Sequence, residues 1–422
     1  MLSANNNMGD TLVGSYLRGI AHVITEPNLE IPKDQEYIQM SEGVRIRDWA
    51  EGFYTAHPDN PNAIFVLGRA YYTCGDADKA EELLTRAISI SGHLAYILYV
   101  RGVVYLSRKS YDKAIADFDA TLAENPNFSL AYVKRGEANT KIGNHKQAVK
   151  DYTKAIKAGY TDARIYFNRA NSYKEMDSLP LAVLDLTRAI DKDSTLGAAY
   201  FERGLIYAFQ RATDLSFEDY QAFVRYAPPE MKIDAVQIQK VLDTPGAKQM
   251  LAQQHPVEYY LQKGCKYFDA QNWTAALGYF IKALEKNHDF IPAVYWLAAV
   301  FDEIKDPKRA ISRYDAAVSL APNDADAYFM RARGFCRRSM FSIDSLVPRY
   351  KYEDALNDFA RALELKPKKT EVYLWRGLTH HMNLQQQSAS KDLAYFINHA
   401  GANDSNLVKV ARSIMDDIAV GK

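Results

Sequence analysis

A short block recurs along this chain: a large residue, two variable positions, then Arg and a small residue, as in Tyr132–Gly136, Tyr166–Ala170 and Tyr200–Gly204. The closing small residue falls at Gly68, Gly102, Gly136, Ala170 and Gly204, each 34 residues after the last. A fixed period of this length marks a helical solenoid, in which neighbouring units share one continuous core. A chain so built works by surface more than by a catalytic pocket. Its 48% apolar and 25% charged residues suit a folded protein that buries a substantial core.

Numbering each unit 1 to 34 places unit starts at Pro27, Pro61, Ala95, Ser129, Ala163 and Gly197, and again at Val257, Ile291, Ala325 and Thr370. Position 8 is small nearly throughout, and from the Pro61 unit on position 20 is Ala except at Ser216. Position 11 is mostly aromatic, position 27 is often Ala, and position 32 is Pro in five units, including Pro126 and Pro322. Each unit therefore reads as two amphipathic helices, A and B, joined by a tight turn such as Gly75-Asp76 or Gly143-Asn144. Small residues at positions 8 and 20 let the two axes approach. The aromatic at 11 fills the space beside that crossing, and Pro at 32 stops helix B.

These residues resemble the tetratricopeptide repeat (TPR) family, whose pattern is a large residue at 4, small at 8, aromatic at 11, Ala at 20, aromatic at 24, Ala at 27 and often Pro at 32. The unit from Ala95 matches through Leu98, Gly102, Tyr105, Ala114, Phe118 and Pro126, and departs at Thr121. The resemblance covers about residues 61–230 and 257–401, and weakly 27–60. It implies an all-α solenoid, a right-handed superhelix of antiparallel helix pairs in two blocks. The expected organisation is an N-terminal helix and degenerate first repeat over 1–60, a five-repeat block over 61–230, an irregular helical joint over 231–256, a four-repeat block over 257–401 and a capping helix over 402–422.

One rule is internal to the chain. Position 7 is Arg in six units (Arg101, Arg135, Arg169, Arg203, Arg331, Arg376), and position 23 is Asp in the same six (Asp117, Asp151, Asp185, Asp219, Asp358, Asp392). Units without the Arg lack the Asp: Leu67 goes with Leu83, Lys263 with Tyr279, and Leu297 with Arg313. Residues that change together in copies of one fold touch, so a bidentate Arg–Asp bridge is predicted from helix A to helix B. A basic ladder for an acidic ligand is disfavoured, because each Asp neutralises its Arg.

The pattern breaks at three places. In 231–256, Asp234–Leu242 reads as helical, and Thr244-Pro245 as an N-cap followed by Pro at the first helical position. The stretch is read as a joint, with a self-binding segment as the alternative. Between Phe335 and Ala355 an insertion around 338–349 holds Met340, Phe341, Ile343, Leu346 and Val347. It either packs on a neighbouring unit or docks a partner. At the ends, Thr11–Ile24 and Asn406–Val420 carry apolar residues at helical spacing, as end caps do.

The chain shows no Gly-rich phosphate loop, no Gly-x-Ser-x-Gly and no His-Glu-x-x-His. His380 and His381 are adjacent, so their rings project about 100° apart on a helix and do not share a metal easily. No catalytic residue, metal or cofactor is assigned. Cys74, Cys265 and Cys336 form neither a disulfide framework nor a zinc spacing and suit a reducing compartment. A start without a basic, apolar leader and the lack of any ~18-residue apolar run point to the cytosol and away from a membrane.

The resemblance also implies that helix A lines a peptide-binding concave face through positions 2, 5, 6, 9, 12 and 13. The candidate partner-binding residues are Phe65, Arg69, Tyr99, Lys134, Lys141, Phe167, Asn168, Asn171, Lys174 and Phe201, with Asn168 matching a peptide-holding Asn of such grooves. The carboxylate clamp of cochaperone members is excluded. With Asn168 as its middle residue it needs Lys and Asn where Val133 and Glu137 stand, and Lys and Arg where Ala198 and Glu202 stand. The expected function is a non-enzymatic scaffold or adaptor in a multi-subunit assembly, holding an extended or helical segment of a protein partner. The expected setting is cytoplasmic, with ciliary and cytoskeletal assemblies among those the family serves. The rivals are a regulatory or substrate-recruiting subunit of an enzyme and an RNA-binding helical repeat. Zero formal net charge argues against nucleic acid, as do Glu137, Glu175, Glu202, Asp302 and Glu303 on the groove side.

Overall fold

The computed structural model describes residues 40–91, 94–340, 350–401 and 404–419, and every regular element among them is helical. The amphipathic segment Thr11–Ile24, the first part of the degenerate repeat and most of the 338–349 insertion lie outside these residues. Two compact units are present. One comprises the residues up to Arg203 together with Ala222–Lys232, and the other comprises Gly204–Gln221 with the residues from Ile233 on.

In the first unit α1 (Met40–Ala56) precedes four hairpins: α2 (Pro61–Thr73) with α3 (Ala77–Ser91), α4 (Ala95–Ser107) with α5 (Tyr111–Glu124), α6 (Ser129–Lys141) with α7 (His145–Lys157), and α8 (Ala163–Glu175) with α9 (Leu179–Lys192). Then α10 (Gly197–Phe209) and α11 (Thr213–Tyr226) each contribute residues to both units. The second unit continues through α12 (Lys232–Leu242), α13 (Pro245–Ala252), α14 (Val257–Asp269), α15 (Trp273–Lys286), α16 (Ile291–Glu303), α17 (Pro307–Leu320), α18 (Ala325–Met340), α19 (Tyr350–Leu365), α20 (Thr370–Met382), α21 (Gln386–His399) and α22 (Ser405–Ala419). An inner A helix packs on its own B helix, on the preceding B helix and on the next A helix, as α4 does on α5, α3 and α6.

The helix starts carry the chemistry expected of them. Asn60 accepts a hydrogen bond from the Asn62 amide at 2.9 Å, and Asp162 accepts from the Arg164 amide at 2.8 Å. Thr244 caps α13 through the Ala247 amide, with Pro245 in the first turn. These side chains satisfy amides that a helix leaves without partners.

The A–B crossing is built on close approach. A Cβ added at Gly102 would come within 2.7 Å of the Phe118 ring, and one at Gly264 would overlap the Phe280 ring. The residue at position 24 thus lies flat where position 8 has no side chain. Phe118 and Phe280 are wholly buried, and each contributes about 2–3 kcal/mol of apolar burial. That exceeds what an exposed ion pair contributes, about 0–1 kcal/mol. Packing therefore holds the hairpin and polar contacts set its register. At the far end α22 lays Val408, Ala411, Ile414, Met415 and Ile418 against Leu374, Leu393 and Phe396.

The covariation of positions 7 and 23 is explained by direct contact. Arg101 donates Nε and Nη2 to Asp117 at 2.8 and 2.7 Å, and Arg135 to Asp151 at 3.0 and 2.6 Å. Arg169 pairs with Asp185 at 2.6 and 2.8 Å, Arg331 with Asp358 at 2.7 and 2.8 Å, and Arg376 with Asp392 at 2.6 and 2.8 Å. The third nitrogen reaches backward. Nη1 donates to Thr85 from Arg101, to Asp119 from Arg135, to Thr153 from Arg169, to Thr187 from Arg203 and to Asp315 from Arg331. Each of these acceptors stands 16 residues before its Arg, on the preceding B helix. One guanidinium therefore ties three helices. Burial opposes the charge on Arg169, but the Asp185 hydrogen bonds outweigh it and raise the guanidinium pKa further.

The turn between A and B is also uniform. Gly75, Lys109, Gly143, Asp177, Arg211, Gln271, Lys305 and Leu384 all have φ between +53° and +86°. All eight occupy position 15 of their units, and only two of the eight are Gly.

Candidate functional site

In the first unit a groove pocket of about 520 Å³ opens between successive A helices. Its near wall is the α4–α5 turn, with Ser107, Lys109 and Tyr111. Glu137, Thr140 and Lys141 of α6 and Tyr152 of α7 form its floor, and Asn168 and Asn171 of α8 its far wall. One A helix supplies Glu137 and Lys141 because positions 9 and 13 lie on one helical face, and the next supplies Asn168 and Asn171 from positions 6 and 9.

The floor is internally satisfied. Thr140 Oγ1 donates to the Gly136 carbonyl at 2.9 Å and lies 3.2 Å from the Tyr152 hydroxyl and 3.4 Å from Ser172 Oγ. Burial pushes the Tyr152 phenol well above its ordinary range, so it stays neutral. Glu137 is held by Lys134 at 3.0 Å. In contrast, the side chains of Lys109, Lys141, Asn168 and Asn171 make no hydrogen bond or ion pair among the described residues. The walls therefore present two ammonium groups and two amides to whatever enters. An amide both donates and accepts, which matches the alternating N–H and C=O groups of an extended backbone.

Of the ten residues that the sequence nominates, Lys141, Asn168 and Asn171 meet in this pocket. Lys134 stands beside it, already paired with Glu137, and Lys174 is paired with Glu202 at 2.7 Å. Phe167, Tyr99 and Phe201 are half-buried. Tyr99 leans on Phe118 and Phe128, with ring centroids 6.0 and 5.0 Å away, and Phe201 lies 4.8 Å from Phe223. Arg69 is half-buried on α2, away from the pocket lining. Phe65 has no exposed surface: it packs edge-on against Tyr96 at 5.0 Å inside the α1–α4 core and offers a ligand nothing to touch. Lys109 and Tyr152 escape the sequence pattern, because one comes from a turn and the other from helix B, which helix-A position rules pass over. Thr140 stands at position 12, on the groove face those rules give, but is not among the ten residues nominated.

In the second unit the equivalent groove positions carry different chemistry. A cavity of about 190 Å³ is lined by Phe268, Trp296, Asp302, Glu303, Tyr314 and Arg333 among others. His380 and His381 take no part in either site, and their Nδ1 atoms lie at hydrogen-bond distance from Gln385 and Gln386.

A family model described as "Tetratricopeptide repeat" matches residues 67–127, 99–163 and 261–325. The heat shock protein STI1 of Saccharomyces cerevisiae is 36% identical over 78 residues, which is 18% of this chain and 13% of that protein. The chain thus spans about 13% of the length of the curated relative it matches. Among solved structures, MamA from Desulfovibrio magneticus RS-1 covers 44% of this chain and 97% of its own, at 17% identity and a TM-score of 0.38. PilF of Pseudomonas aeruginosa covers 54% of this chain and 97% of its own, at 12% identity and a TM-score of 0.43. With antiparallel hairpins at the 34-residue period, and the repeat's family model matching residues 67–127, 99–163 and 261–325, the chain carries tetratricopeptide repeats in both compact units.

Proposed function

We propose that this chain is a non-enzymatic interaction scaffold whose first unit holds an extended segment of a protein partner in the Lys109–Asn171 groove. What carries this is a contrast within the groove. The floor is satisfied by its own hydrogen bonds, whereas Lys109, Lys141, Asn168 and Asn171 offer uncommitted groups to the opening. Asn168 and Asn171 suit the partner's main chain, and the two lysines suit an acidic side chain on it. We extend the same reading to membership of a larger assembly and to residence in the cytoplasm, ciliary and cytoskeletal complexes included. No helix among the described residues is long and apolar enough to cross a membrane.

The test is selection of linear peptides from a displayed random library against the full chain, followed by affinity measurement with Asn168→Ala/Asn171→Ala. Loss of two hydrogen bonds predicts binding weaker by about tenfold or more. Selected peptides that bind the double variant as tightly as the parent defeat the proposal.

A further inference from the structure

We infer that the outward face of α7 is a docking surface for an acidic helical segment of a protein partner. This goes beyond the groove reading, because the groove takes only Tyr152 from α7, on the side turned to the core. The repeat from Ser129 to Asp162 holds seven Lys and Arg against three Asp and Glu, whereas the repeats that start at Ala95 and Ala163 are each balanced. The surplus gathers on one helix face. Ala148, Asp151, Tyr152 and Ala155 are the buried residues of α7. At about 100° per residue, Lys146, Lys150, Lys154 and Lys157 project from the opposite side. These four lysines are the only exposed residues of α7. None of them forms an ion pair among the described residues, and Lys154 has the Tyr132 ring 5.1 Å away. The one acidic residue of the helix, Asp151, is buried and held by Arg135.

Lysines three and four apart on a helix repel each other, so this arrangement works against the helix that carries it. The other outward B faces avoid it by mixing signs, with Asp78 and Lys79 on α3, Asp112 and Lys113 on α5, and Asp191 and Lys192 on α9. A cost confined to one repeat points to a contact that offsets it. Charge and spacing select the occupant. Lys146, Lys150 and Lys154 follow at steps of about 6 Å, and the stripe runs about 17 Å to Lys157. A second helix with carboxylates at the same steps meets these ammonium groups one for one. The stripe is one helix wide. Asp112 and Glu124 are exposed on α5, the preceding B helix, so a nucleic-acid duplex or an anionic bilayer laid over α7 meets carboxylates beside the lysines. The face also has no aromatic ring for a base to stack on and no exposed apolar side chain to enter a bilayer.

The experiment titrates the full chain, at low salt, into three fluorescein-labelled helical peptides built on Ala and Gln. The first carries four Glu at the spacing of the α7 lysines, the second carries Gln in their place, and the third carries four Glu spread round the helix. Fluorescence anisotropy is expected to show the first binding about tenfold or more tighter than the other two, and added salt to weaken it. Lys150→Gln/Lys154→Gln is expected to weaken that binding by about fivefold or more, with helicity by circular dichroism unchanged. Asn168→Ala/Asn171→Ala is expected to leave it unchanged, which separates this surface from the groove. Carbodiimide coupling of the bound peptide's carboxylates to lysine amines, mapped by mass spectrometry, is expected to fall on the four α7 lysines. The inference is overturned if either control peptide binds as tightly as the first, if Lys150→Gln/Lys154→Gln binds like the parent, or if coupling favours Lys113 or Lys192. It is also overturned if the Asn168→Ala/Asn171→Ala variant no longer binds the first peptide. A DNA duplex or phosphatidylserine vesicles that bind more tightly than the first peptide, through the same lysines, overturn it as well.

Discussion

At the scale of single residues, the three-way arginine is the feature with the largest predicted consequence. Arg169 and Asp185 are only 4% and 0% exposed, so removing one member strands a charge away from water. Arg169→Met is expected to destabilise the first unit by about 3–5 kcal/mol, and Arg169→Met/Asp185→Leu to recover most of that loss. Arg188 lies 3.5 Å from Asp185 and offsets part of the single-variant effect. Hydrogen-exchange protection in α8 and α9 reads both variants, and a double variant no better than the single would refute the pair's role. The pairing of positions 7 and 23 is readable in the sequence because both residues change together. The backward contact is not. Its acceptors are Thr in three units and Asp in two, so no single residue type marks the position sixteen before each arginine.

At the scale of the helix and its turn, the uniform left-handed residue at position 15 is the telling element. Six of the eight described turns carry a side chain there, against a cost of about 1–2 kcal/mol. Leu384 is 67% exposed and has φ +60°, so its side chain contributes little and its backbone is strained. Leu384→Gly is expected to stabilise the α20–α21 hairpin by about 0.5–1 kcal/mol, once the greater freedom of Gly in the unfolded chain is set against the relief. Slower exchange of the α20 and α21 amides would show it, and faster exchange would contradict it. The turn's existence is plain from the period, and Gly75 and Gly143 announce its conformation. Lys109 and Leu384 hide it, because their residue types do not favour φ above zero. The groove is legible to the same degree. Lys141, Asn168 and Asn171 sit at positions the repeat aims inward, whereas Phe65 shares its position with half-buried Phe167 yet is sealed by Tyr96.

At the scale of the whole molecule, alkaline pH acts on both units through their tyrosines. In the first, a hydrogen bond to Glu51 and burial raise the Tyr71 phenol to about 12. In the second, burial and the Glu218 charge raise Tyr260 to about 12. Both folded values lie above the ordinary 10.0, so their contribution is fully present below pH 10 and is lost as pH rises from about 10 to 12. Helicity followed by circular dichroism is expected to fall over that window, and Tyr71→Phe with Tyr260→Phe to flatten the fall. An unchanged profile in the double variant would assign alkaline loss to other groups. Because five of the six arginines at position 7 reach backward, a chain of this kind can also lengthen by copying. A copied segment of 34 residues that carries the Arg–Asp pair brings its own Asp, and its guanidinium finds an acceptor where the preceding copy has a Thr or Asp at the matching position of its B helix, as Thr153 does for Arg169. A gene built this way can duplicate an internal stretch in frame and still close every charge, without inventing a new contact.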